Sequence, residues 1–194
     1  MKLKYNSPTV LTFAFISAVV LVLSQTVMRN LTEQWFMVQG KDGFSPKNIR
    51  NIATLFTHVI GHANWAHLVS NFSFILLIGP ILEEIYGSFS LFAMICITSL
   101  VTGLLNVFFF SSGLLGASGV VFMMILLASF TNFNKGEIPL TFILVLILFL
   151  GRELFNSFGN SSGEGGNISE FAHIVGGFIG SLFGFFRVQT RRAA

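Results

Sequence analysis

Fifty consecutive residues without a formal charge, Ile85 to Asn134, run through the middle of this 194-residue chain. An ordinary soluble domain carries charge on roughly a quarter of its residues and does not leave such a segment bare. Here 10% of residues are charged and 53% are hydrophobic, and the mean hydropathy is +0.78. Such a chain cannot clothe itself in water, so it reads as an integral membrane protein. A net charge of +3, with no basic run interleaved with aromatics, gives no grip on nucleic acid. The single cysteine, Cys96, has no partner for an intramolecular disulfide or a multi-cysteine metal site.

Gaps between charges count the spans. Residues 5–28, 51–82, 138–151 and 171–186 are also free of charge. The central gap of 50 is too long for one span and suits two with a break. The last two are short, but a few flanking residues bring each near the ~20 needed to cross. The expectation is an all-α polytopic membrane protein, one domain over 1–194, with six transmembrane helices at about 8–28, 63–82, 89–110, 118–133, 137–156 and 170–187. The first is read as a retained span rather than a signal peptide, since it lacks a convincing cleavage site and more spans follow. Loop 29–62 carries Trp35, Phe36, Met37 and Phe44 among charges and reads as an interfacial segment. Loop 157–169 is rich in Gly and Ser and reads as mobile; residues 188–194 form a tail. Six Lys and Arg on the side of the termini against five on the other favour cytoplasmic termini.

Span parity gathers the polar residues. His67 near the start of the second span, Ser118 at the start of the fourth and His173 near the start of the sixth all fall in the outer half of the membrane. From Ser118 to Asn132 the helix rises ~21 Å, and the hydrocarbon core is ~30 Å thick. The short fourth helix therefore starts inside the membrane, with Ser118 roughly 10 Å below the outer surface. The preceding "FSSGLLGAS" is then non-helical chain at membrane depth, which must be buried in protein or line a wet cavity. On the sixth span His173, Gly176, Gly177, Gly180 and Gly184 share one face, and small residues at that spacing admit a close helix neighbour.

Each residue also has a bland reading. Ser118 in "GASG" is either a small packing residue or a nucleophile. His67 and Asn71, at i and i+4, are either a hydrogen-bonded helix contact or a pair of donors facing one site. An ionisable residue inside a membrane, such as His173, is costly and usually functional. His58, His62 and His67 offer three imidazoles, but no carboxylate stands at HExxH spacing. A structural hydrogen-bonding role for His62 is expected, with no metal and no cofactor. Glu83 and Glu84 are expected to cap the inner end of the second span, before a turn at Gly87.

Taken together the motifs resemble those of the rhomboid intramembrane serine proteases, most closely the small bacterial type with six spans. "HANWAHLVSN" is similar to the family's HxxxxHxxxN at His62, His67 and Asn71; "EEIYG" to its ExxxG at Glu83 and Gly87. "GASG" matches GxSG at Gly116, Ser118 and Gly119, and "AHIVGGFIG" matches AHxxGxxxG at His173, Gly176 and Gly180. Two positions depart from the pattern. The family's Trp-Arg pair before the second span is replaced by "IATLF", and the Tyr four residues after the nucleophile is Phe122.

The resemblance implies a serine endopeptidase with Ser118 as nucleophile and His173 as base. It implies an oxyanion hole of Ser118 N–H, His67 and Asn71, with structural support from the remaining motif residues and Phe122. It also implies transmembrane protein substrates cut near the outer end of their span, a site that opens outward from a bacterial inner membrane, and membrane lipid as surroundings. It implies a dyad, so Glu170, one turn before His173, is not expected as a third member. Loop 157–169 is expected to act as a cap over the cavity. The rival reading is a catalytically silent rhomboid-like protein that binds membrane clients.

Overall fold

The computed structural model describes residues 5–130, positions 140, 143–144 and 147–148, and residues 164–193, with side-chain surroundings over 172–186 of the last stretch. The named helices are α1 (Pro8–Gln25), α2 (Leu31–Trp35), α3 (Ile49–Thr57), α4 (Trp65–Tyr86), α5 (Ser88–Phe109), α6 (Ser118–Ser129) and α7 (Glu164–Ala193). Among the described residues the only β pairing is an isolated bridge between Val38 and Leu114. α1, α4 and α5 are each long and apolar enough to cross a bilayer; α6 and the apolar part of α7, Ala172–Phe186, are shorter. The expected fifth span, 137–156, lies outside the described residues except at Leu140, Ile143, Leu144, Ile147 and Leu148, which are helical. The described residues thus form a polytopic helical membrane protein with three such spans.

α6 is the hub. Its 12 residues rise ~18 Å, too little to cross ~30 Å of hydrocarbon. It need not face lipid: Val120, Met123, Leu126 and Leu127 are fully buried. α7 makes the broadest helix contact in the fold, with α6. The outer faces of the surrounding helices are apolar and uncovered, as at Phe15, Leu77 and Phe178, which suits helices bathed in acyl chains. Inside, three polar residues of α5 bond back to their own helix. Thr98 donates to Met94 O, Ser99 to Ile95 O and Thr102 to Thr98 O, each at 2.8 Å.

Glu83 differs from the expected inner cap of its own helix. Its two carboxylate oxygens accept the backbone N–H groups of Thr9 (2.9 Å) and Val10 (3.0 Å), the first turn of α1. Ser7, the residue at the α1 N-cap, makes no side-chain cap bond. A carboxylate serves orphan amides at a helix N-terminus better than a hydroxyl does. α4 consequently runs through Glu83 to Tyr86, and the chain reverses at Gly87, whose φ of +83° favours glycine.

The first loop is tied by its backbone to the chain that precedes α6. Val38 and Leu114 exchange two backbone bonds at 3.0 Å, and Lys41 N donates to Phe110 O at 2.8 Å. Asn106 Nδ2 donates to Ser112 O at 3.2 Å. These bonds give the non-helical chain before α6 internal partners for its backbone. α7 starts at Glu164 rather than at 170 and runs to Ala193, so it takes residues from both the expected cap loop and the expected tail. Residues 157–163 lie outside the described residues.

Candidate active site

The site is built on three helix starts. α4 begins where the Asn64 side chain accepts His67 N at 2.8 Å, which fixes His67 in the first turn. One turn on, Asn71 is 94% buried by its 6% exposure, and its Nδ2 donor has no hydrogen-bond partner among the described residues.

α6 begins with Ser118, half-buried, after a turn at Gly116 with φ +113°. A Cβ at Gly116 would stand 2.5 Å from His67 Cε1 and 2.6 Å from Nε2, so glycine is needed both for the backbone and for the imidazole lying against it. Gly116 N donates to His58 O at 3.0 Å. The serine thus follows directly on a turn that touches His67 and is tied to the first loop.

α7 supplies His173. Its ring stacks on Phe122 at a centroid distance of 4.3 Å and 37° between planes. Phe122 is one turn beyond Ser118 on the same face of α6. The register follows from the glycines: a Cβ at Gly176 would run into Gly119 O, one at Gly180 into Met123 O, and one at Gly184 into the Phe130 ring. A Cβ at Gly119 would stand 3.2 Å from Ala172 O, the residue before His173. The structure therefore gathers His67, Ser118 and His173 at one end of α4, α6 and α7, with Asn71 a turn away on α4. Glu83 and Gly87 sit at the opposite end of α4. The side chain of Glu170 lies outside the described residues.

Two histidines form the floor of this arrangement. His62 is fully buried; its Nδ1 lies 3.1 Å from Ile60 O, and its ring meets His67 edge-on at 5.0 Å and Phe72 at 5.6 Å. His58 is buried, with Nδ1 3.2 Å from Thr54 O and Nε2 3.4 Å from Thr102 Oγ1. Burial lowers the pKa of each from 6.5 to about 4, so both are neutral near pH 7, with Nδ1–H donating to the carbonyl. No group of three metal-ligating side chains occurs among the described residues. His58 was legible only as a possible ligand; its service to Gly116 runs through a backbone carbonyl, which no side-chain pattern encodes. Elsewhere in the first loop the Arg50 guanidinium lies 4.0 Å over the Trp35 ring.

A family model of the rhomboid domain matches residues 50–190. The chain belongs to the rhomboid family. Its match covers α3 to α7, and with it every residue of the gathered site. Rhomboid protease GlpG of Haemophilus influenzae is 24% identical over 140 residues, 70% of this chain and 70% of the relative. Rhomboid-like protein 11, chloroplastic, of Arabidopsis thaliana is 26% identical over 162 residues, 77% of this chain but 58% of that longer rhomboid.

Proposed function

We propose that this rhomboid is an intramembrane serine endopeptidase acting through a Ser118–His173 dyad on transmembrane protein substrates near the outer end of their span. The observation that carries the reading is the seat of His173, stacked on Phe122 one turn from Ser118 and backed by glycines that admit no side chain against α6. In this mechanism Ser118 Oγ attacks the peptide carbonyl carbon while His173 takes its proton. The C–N bond then breaks as His173 returns that proton to the leaving amine. Water, deprotonated by the same imidazole, releases the acyl group and restores Ser118.

Negative charge on the tetrahedral oxygen needs donors fixed in advance. Ser118 N–H at the start of α6, the His67 ring against Gly116 and the unpartnered Asn71 Nδ2 are the proposed set. No metal or cofactor enters the scheme. The proposed topology has both ends of the chain on the cytoplasmic side of a bacterial inner membrane and the site opening outward.

The test is cleavage of a panel of single-span substrates by purified protein in liposomes, against Ser118→Ala. Loss of cleavage in a variant that folds and extracts normally is expected. Undiminished cleavage would overturn the serine mechanism, and absence of cleavage by both would favour the client-binding reading.

A further inference from the structure

Away from the site, an apolar cleft of about 400 Å³ lies between α1 and α5. Two contacts define its ends. At the inner end α1 touches α5, where Thr9 Oγ1 donates to Ser88 O at 3.0 Å. At mid-depth the chain after α3 wedges the two helices apart: Phe56, Val59 and Ile60 line the cleft there, and just beyond it a Cβ at Gly103 of α5 would stand 3.1 Å from Leu55 O. Between wedge and clasp the walls are Thr12 and Ile16 of α1 and Phe92 and Cys96 of α5. Ile16 and Phe92 are 42% and 54% exposed, so the cleft opens sideways into the bilayer.

Its dimensions select the occupant. Along α5 the lining runs from Ser88 to Ser99, a rise of ~16 Å, about one leaflet of a ~30 Å hydrocarbon core. Spread over that length, 400 Å³ gives a section of about 25 Å². A helix ~10 Å across needs ~80 Å² and does not fit. Water gains little from walls whose hydroxyls already have partners: Ser99 on Ile95 O, Thr9 on Ser88 O and Thr12 with the Tyr5 hydroxyl. A single extended alkyl chain fits in both length and section.

We propose that the α1–α5 cleft is a binding site for one acyl chain of a phospholipid from the leaflet on the side of the α1 N-terminus. The chain fills the space that the first loop opens when it wedges between α1 and α5. The same loop ties down the turn before Ser118, so the bound lipid supports the underside of the segment that holds the site.

The experiment uses the full chain in mild detergent, incubated with phosphatidylethanolamine and phosphatidylglycerol and analysed by native mass spectrometry. One phospholipid retained per chain is expected. Cys96→Trp and Thr12→Trp, which fill the cleft at two separate points, should each lower retention at least about tenfold, the effect of excluding about two methylenes. Ile97→Trp, on the exposed face beside the cleft, should not. A phospholipid carrying a diazirine in its acyl chain should crosslink to α1 and α5 in the wild type. Where Cys96→Trp does not fold, Thr12→Trp and the crosslinks carry the test. No retained lipid, equal loss in Ile97→Trp, or crosslinks confined to other helices would each overturn the proposal.

Discussion

The backbone carbonyl of His58 accepts the N–H of Gly116 at 3.0 Å, joining the first loop to the turn that delivers Ser118. With the Val38–Leu114 bridge it makes the first loop a scaffold for non-helical chain that could not persist in lipid alone. The proposed dyad therefore depends on parts of the molecule that carry no chemistry.

A fluorophosphonate or isocoumarin should label the wild type covalently at Ser118. Ser118→Ala should take no label, and His173→Ala should lose nearly all of it, because the hydroxyl then has no base. Mass spectrometry of the labelled peptide checks both; equal labelling in His173→Ala would remove the imidazole from the mechanism.

Asn71→Ala should slow turnover by about 10- to 1000-fold, the range for deleting one oxyanion donor, with little change in KM. His67→Ala should be at least as harmful, since it also removes the ring that packs on Gly116. Steady-state kinetics on one substrate decide the matter, and wild-type turnover in both variants would detach α4 from the chemistry.

Gly180 has no chemistry, yet Gly180→Val should be nearly inactive. Its Cβ would collide with the Met123 carbonyl and push α7 from α6, and a displacement of ~1 Å can cost ~100-fold in rate. Phe178→Leu, on the 64% exposed outer face of α7, should be mild. Cleavage rates and melting temperatures of the two in one detergent make the comparison. A Gly180→Val enzyme as fast as wild type would mean that the glycine contact does not position His173.

Stability should fall with acid through the buried histidines. His58 and His62 have pKa values of about 4 when folded, against 6.5 ordinarily, so the unfolded chain binds protons first as pH drops. Their contribution is fully present above pH ~6.5 and is lost progressively between ~6.5 and ~4, on the order of 3 kcal/mol for each group once complete. Thermal melting in detergent from pH 7 to pH 4 should show this decline, with a shallower slope in His58→Gln. A melting temperature independent of pH over that window would contradict the buried neutral assignment.

The charge gaps located α1, α4 and α5 because hydrocarbon tolerates few other patterns, and the i, i+3, i+4, i+7 recurrence from His173 marked the face of α7 that meets α6. The start of α6 at Ser118 was legible as a break within the 50-residue uncharged run. The role of Glu83 was not: helix-capping patterns are local, and its partners lie 74 and 73 residues earlier. Nor was the order in the first loop, which rests on backbone pairing between segments without shared periodicity. At 164–169 the Gly and Ser content pointed to a mobile loop, where the helix in fact continues.

The Glu83 contact also has a consequence for biogenesis. α1 leaves the ribosome first, but the carboxylate that completes its first turn is translated 73 residues after Val10. Until α4 is made, the Thr9 and Val10 amides lack this partner. The order of translation thus leaves the first turn of α1 to be completed by a residue made later.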